Sequence, residues 1–260
     1  GYIMGFIGPN GAGKSTTIKL IMNLIKRDSG EIKIFGKDNI KNEIEVKNKI
    51  GFVLDENHYY DEVTVTQMKN IVAPFYKEWD EKVFDKYIKD FELPVDKKIK
   101  ELSKGMKMKF SLAIALSHNA SLLIMDEPTS GLDPVIRSEL LDILTELIQD
   151  ENKGIFFSTH ITSDLDKIAD YITFINDGEI VLSDTKDSLL ENYGLLKGPK
   201  SLMDSIDKKD IVGVKENQYG LETLVRNKNK VMRLFNGKAV MEKPTLDDIM
   251  VYYTRRNEHA

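Results

Sequence analysis

The chain has no cysteine, which rules out disulfide cross-links, thiol nucleophiles and thiolate metal sites together. That composition fits a reducing compartment. No apolar run approaches the ~20 residues that a membrane-spanning helix needs, and no secretory signal is expected. Basic residues are outnumbered by acidic ones: 37 Lys and Arg stand against 42 Asp and Glu, for a net charge of −5. A broad basic face for nucleic acid is therefore not implied. There is no internal repeat and no low-complexity tract. What remains, 260 residues, suffices for one large α/β domain with a small appendage.

The most informative segment lies near the start. Gly8, Pro9, Asn10, Gly11, Ala12, Gly13, Lys14, Ser15 and Thr16 fit G-x-x-x-x-G-K-[ST], the phosphate-binding loop of nucleoside triphosphatases. Before it, Tyr2–Ile7 is short and apolar, as a buried parallel strand should be. After it, Ile18, Ile21, Met22 and Ile25 recur at helical spacing. The glycines let the backbone approach a phosphate chain, and the amides of the loop and the new helix point at that anion. Lys14 adds a positive charge for the β- and γ-phosphates, and Ser15 a hydroxyl for Mg²⁺.

Further on, the pattern alternates. Two short strands are expected around Gly30–Gly36 and another at Ile50–Leu54, followed by an acidic, aromatic loop over Asp55–Glu62. Thr64–Tyr76, Glu81–Phe91 and Ser103–Ser117 carry helical periodicity and read as an insertion of about residues 62–119. Ser121–Met125 returns to a strand, Ser138–Gln149 to a helix, Gly154–Ser158 to a strand. Tyr171–Asn176 and Glu179–Ser183 form a hairpin about Asp177-Gly178. Beyond about Asp187, Ile211–Val214, Leu221–Val225 and Val231–Phe235 suggest a small antiparallel sheet. Thr245, with Asp248 three residues on, caps a last helix with an aromatic face.

Several residues join the phosphate loop as candidates. Asp126 and Glu127 end an apolar strand, where one carboxylate holds Mg²⁺ through water and the next polarises an attacking water. His160 follows the strand Ile155–Thr159 and can reach a γ-phosphate; a lone histidine there is also common as a structural residue. Ser103 opens a helix whose first turn favours an anion, although the same residue is an ordinary N-cap. Ser130–Pro134 is a turn leading into a helix, with Pro134 suited to the first turn.

Taken in order, these pieces resemble the nucleotide-binding subunit of ATP-binding cassette (ABC) transporters over about residues 1–185. Gly8–Thr16 looks like Walker A, and Leu122–Asp126 like Walker B with Glu127 as catalytic carboxylate. Leu102–Met106 is similar to the signature LSGGQ, Ser130–Asp133 to the D-loop, and His160 to the switch histidine. The resemblance implies a P-loop NTPase α/β core with a mainly parallel sheet, an inserted helical subdomain and a small α+β extension over residues 186–260. It implies an ATP hydrolase using ATP and Mg²⁺. Glu127 and His160 would be catalytic. Ser15, Asp126 and Asp55 would serve the metal, and Gly8–Thr16, Ser103, Gly105 and Asp133 the nucleotide. Two such subunits, alike or different, would trap ATP between the phosphate loop of one and Ser103 and Gly105 of the other. Its ending and helical block resemble bacterial exporters of the bacitracin-resistance and YtrB type, and ATPases that export phenol-soluble modulins. A separate membrane-spanning permease would then hold the chain at the cytoplasmic face of the membrane, docking near Asp55–Tyr76.

Three departures stand out. Lys104 replaces the usual glycine, Met106 the usual glutamine, and Asp55 then Glu56 the usual Q-loop glutamine. A parallel α/β domain normally has strands ahead of the nucleotide strand, so residues before Gly1 are expected. The aromatic residue that stacks on adenine in this family lies upstream of Walker A, and no residue here is assigned to that role. Rival readings are a soluble ABC ATPase of repair or ribosome type, which would carry a coiled coil or tandem cassettes, and an ATP-binding dimerisation switch, which needs neither Glu127 nor His160.

Overall fold

The computed structural model describes residues 1–55, 59–199, 205–217, 220–235 and 239–256. The Glu56 departure and the Asn57-His58 part of the aromatic loop lie outside them. The chain divides into two compact units, Gly1–Phe6 with Gly13–His160, and Ile7–Ala12 with Ile161–Ala260.

The first unit is built on strands β1 (Tyr2–Ile7), β4 (Ile50–Val53), β5 (Leu122–Asp126) and β6 (Gly154–Thr159), in the order β4-β5-β6-β1. Pairing of β4 with β5 and of β5 with β6 is parallel. These strands are near-continuous apolar runs because helices cover their faces. Helix α1 (Lys14–Ile21) lays Ile18 against the sheet, where it joins Met22, Ile50 and Ile124 in one buried cluster. A small ribbon of β2 (Lys33–Ile34) and β3 (Lys37–Asp38) and the short helix α2 (Glu43–Lys47) close that side.

The helical insertion comprises α3 (Val65–Val72), α4 (Glu81–Asp90) and α5 (Lys104–Leu116), each with a side-chain cap. Thr64 and Gln67 form a capping box on α3, Asp80 caps α4 and Ser103 caps α5. Aromatic rings bind these helices: Phe84 and Phe110 meet edge-on at 6.5 Å, and Tyr59 meets Phe110 at 5.1 Å. Buried His118 fastens the end of α5 to β4, with ring nitrogens 3.1 Å from the Ile114 carbonyl and 3.0 Å from the Ile50 carbonyl. After β5, α6 (Pro134–Leu147) begins at Pro134, one turn ahead of the expected Ser138, because Asp133 caps it.

The second unit contains α7 (Thr162–Ile168), the hairpin of β7 (Tyr171–Asn176) and β8 (Glu179–Thr185), and α8 (Lys186–Asn192). A four-stranded antiparallel sheet follows, in the order β10-β11-β9-β12, from β9 (Gly194–Gly198), β10 (Ile211–Asn217), β11 (Gly220–Val225) and β12 (Val240–Glu242). Val231–Phe235, expected as a strand, belongs instead to α9 (Lys228–Phe235). Val231 and Phe235, four apart, are buried with Leu196 and Val225, whereas Met232 and Leu234 are exposed. A strand would have placed Val231, Arg233 and Phe235 on one face; the helix keeps Arg233 out. The last helix, α10 (Leu246–Arg256), starts at the expected box: Asp248 N–H donates to Thr245 Oγ1 at 3.1 Å and Thr245 N–H to Asp248 Oδ2 at 2.9 Å.

Among the described residues, no helix is long and apolar enough to cross a membrane.

Candidate active site

Parallel strands bring their carboxyl ends to one edge, which is where open α/β sheets present functional groups. β5 ends in Asp126 and β6 in Ser158 and Thr159, and the register sets Asp126 beside Ser158. Buried Ser158 donates its hydroxyl to Asp126 Oδ1 at 2.6 Å. The same residue receives the backbone N–H of Glu127, 3.1 Å from both its carbonyl and its Oγ. Glu127 needs that support: its φ of 48° lies in the left-handed region, which non-glycine residues adopt only when their surroundings hold them there.

The Glu127 carboxylate is clasped from two sides. Lys14 Nζ stands 3.2 Å from Oε1, and His160 Nδ1 stands 2.7 Å from Oε2. An ionised carboxylate only accepts, so Nδ1 carries the proton and Nε2 is the nitrogen left for a substrate. The His160 backbone N–H adds a contact to Oε2 at 3.3 Å. Lys14 is 5% exposed and Glu127 13%, so their attraction acts with little solvent screening.

Lys14 and Ser15 open α1, with Ser15 half-buried and Thr16 exposed. Gly13 precedes them at φ 107° and offers no side-chain cap, so the helix start is left for an external anion. Thr17 returns its N–H and hydroxyl to the Gly13 carbonyl, at 2.8 and 2.9 Å. The first half of the loop, Gly8–Ala12, groups with the second unit. There Ala12 N–H reaches the Pro9 carbonyl at 3.2 Å, and its own carbonyl accepts from Gly178 N–H at 2.9 Å. Asn10 and Gly11 form the exposed tip. Gly8 has no space for a side chain, since a Cβ there would sit 2.3 Å from the Ile175 carbonyl oxygen. Gly8→Ala is therefore expected to cost about 2–3 kcal/mol and lower Tm by about 5–10 °C, read by thermal denaturation.

A second cluster gathers the remaining candidates. Ser103 caps α5 by accepting from Met106 N–H at 3.2 Å. Gly105 is buried and tight, because a Cβ there would meet Ile136 at 3.0 Å. Asp133 caps α6 through the N–H groups of Val135 and Ile136, at 3.0 and 3.1 Å. The Asp55 carboxylate faces Lys104, 3.0 Å away. The sequence had not singled out Ser158; its one signal was a Ser-Thr pair ending an otherwise apolar strand before His160.

Residues 1–130, half of the chain, match the family model described as ABC transporter. The chain belongs to the ABC transporter family. Its ABC relatives include the bacitracin transport ATP-binding protein BcrA of Bacillus licheniformis, 36% identical over 183 residues, which are 70% of this chain and 60% of the relative. The ABC transporter ATP-binding protein YtrB of Bacillus subtilis is 32% identical over 193 residues, 74% of this chain and 66% of the relative. The chain thus spans less than two thirds of either relative's length. A solved structure, described as that of the ATP-binding subunit of an ABC transporter, matches with a TM-score of 0.66 at 28% identity, covering 73% of this chain and 81% of that one. The resemblance to ABC ATPases of the bacitracin and YtrB type, and the P-loop α/β fold, are borne out.

Proposed function

We propose that this chain binds and hydrolyses ATP as the nucleotide-binding subunit of an ABC exporter. The observation that carries this reading is the Glu127 carboxylate held between Lys14 and His160 at the strand ends. A general base must be oriented toward its water, and a pure binder has no use for one so constrained.

Lys14 and the first turn of α1 receive the β- and γ-phosphates. Water attacks the γ-phosphorus and gives its proton to Glu127, while the bond to the β–γ bridging oxygen breaks and ADP leaves. His160 fixes Glu127 through Nδ1–H, and it meets a γ-phosphate oxygen only as the imidazolium, in which Nε2–H donates as well. Ser15 and Asp126 are an oxygen-only donor pair. Among the described residues no group of three or more His, Cys, Asp or Glu could hold a metal. That set suits Mg²⁺, which takes one or two protein oxygens and substrate phosphates for the rest. When bound, the ion neutralises charge on the phosphate oxygens. Asp126 is kept in place for it by Ser158.

Two copies, or this chain and a similar one, pack head to tail, with Ser103 and Gly105 of one facing the nucleotide of the other. ATP then closes the pair and hydrolysis releases it. The residues beyond 185 form an accessory region of the cassette. A separate membrane permease docks on the helical insertion, where Tyr60, Ile71 and Phe75 are exposed. That partner holds the chain at the cytoplasmic face of a bacterial membrane and sets the cargo, a peptide or drug-like amphipathic molecule. The bacitracin relative supports that class of cargo.

The purified chain is expected to release phosphate from MgATP and, carrying an affinity tag in its own host, to co-purify with a membrane protein encoded beside it. Phosphate release without any membrane partner would leave a soluble ATPase. No release at all would overturn the enzymatic reading.

A further inference from the structure

We infer that Lys104 and Asp55 are positioning residues that act as one unit, a charge clasp tying the start of α5 to the end of β4 across the turn that follows Glu127. The inference rests on the proposed ATP turnover and extends it to two residues outside the phosphate-loop cluster.

Three loops converge on one side chain. Lys104, the first residue of α5, reaches Asp55 Oδ1 at 3.0 Å, bridging 49 residues of sequence. On the way its stem crosses Gly131. A Cβ built at Gly131 would lie 3.2 Å from Lys104 Nζ and 3.7 Å from its Cδ. Gly131 also holds φ +65°, so a side chain there is strained by the backbone, and Lys104 would have to shift slightly to admit it. Gly131 sits between Glu127 and Asp133, the cap of α6. Lys104 stands next to Ser103, the cap of α5. The clasp therefore sets how the loop bearing Ser103 is held against the segment bearing Glu127.

Neither charge is well placed alone. A lysine at the first position of α5 faces the positive end of the helix dipole. An aspartate after β4 adds negative charge to a region meant for phosphates. Together they cancel, and both occupy positions where the cassette family carries uncharged residues, glycine and glutamine. Side-chain exposures of 46% and 39% keep the pair in contact with solvent, so it contributes little to global stability and breaks reversibly.

A double-mutant cycle on the full chain tests this. Asp55→Gln and Lys104→Gly are each expected to lower kcat/KM for ATP about two- to fivefold, the range of an exposed pair. The double variant, uncharged at both positions, is expected to lose clearly less than the product of the two single losses, with Tm unchanged throughout. Added salt should slow the wild type more than the double variant. A double variant whose loss equals the product of the two singles overturns the clasp. A second readout needs no turnover. The chain has no cysteine of its own, so an Asp55→Cys/Lys104→Cys variant treated with a short bismaleimide should cross-link within one molecule. A poor cross-link yield also overturns the clasp. If the wild type hydrolyses no ATP while the Asp55→Cys/Lys104→Cys variant cross-links well, the catalytic reading fails and the clasp stands.

Discussion

Glu127→Gln is expected to bind ATP at least as tightly as the wild type and to turn it over about 10²- to 10⁴-fold more slowly. The shape of the substitution carries the argument. Glutamine keeps an oxygen to accept from His160 Nδ1–H, now 2.7 Å from Glu127 Oε2, and the backbone stays anchored by Ser158. What it loses is the ability to take a proton from water. It also loses the charge that pairs with Lys14 at 3.2 Å. In the free chain that pairing competes with a triphosphate for the same ammonium, so removing it favours binding. With hydrolysis blocked, ATP remains in place and the closed pair of chains accumulates. Light scattering at saturating MgATP should report a dimer for the variant and a smaller fraction for the wild type. A monomer under those conditions would count against the head-to-tail arrangement, and fast turnover would remove Glu127 from the role of base.

How much of this was legible in the sequence depended on how local each feature is. The phosphate loop, the Asp126-Glu127 strand end and the capping box at Thr245 and Asp248 are short-range devices, each determined by residues within a few positions of one another. They were readable for that reason. Val231–Phe235 was misread because five residues cannot distinguish period 2 from period 3.6 when apolar side chains occupy both alternating faces; burial beside Leu196 and Val225 decides it. β9 and β12 went unseen, since a five-residue segment flanked by glycines and a three-residue edge strand are stabilised by pairing, not by pattern. Ser158 and the Asp55–Lys104 pair lay beyond reach for a different reason. Their meaning arises only when the parallel register or the helical insertion brings distant positions together. Asp55 and Lys104 were each visible as a departure from the family pattern, and only the fold shows that they meet.

Lys14→Ala is expected to weaken ATP binding at least 100-fold and to reduce hydrolysis below detection. Two losses add. A buried ammonium making charge-assisted bonds to phosphate oxygens is worth about 1.5–3 kcal/mol, or roughly 10- to 150-fold in affinity. Lys14 qualifies, being 5% exposed at the start of α1. Its removal also strips Glu127 of the cation at 3.2 Å, leaving a carboxylate, 13% exposed, beside the place a γ-phosphate must enter. That carboxylate then repels the nucleotide it should serve. Stability should fall as well, because the largely buried Glu127 carboxylate loses its cation, although His160 still holds Oε2 and the backbone N–H bond to Ser158 persists. Lys14→Arg should not rescue binding: a planar guanidinium is bulkier than the ammonium it replaces and cannot occupy so enclosed a point in the same geometry. Isothermal titration with MgATP measures the affinity and thermal denaturation the stability. A Lys14→Ala protein that binds ATP within about threefold of wild type would detach the phosphates from this helix start. A Lys14→Ala/Glu127→Gln double variant that binds more tightly than Lys14→Ala alone would show the repulsion from Glu127 directly, because in that variant neither charge remains at the mouth of the site.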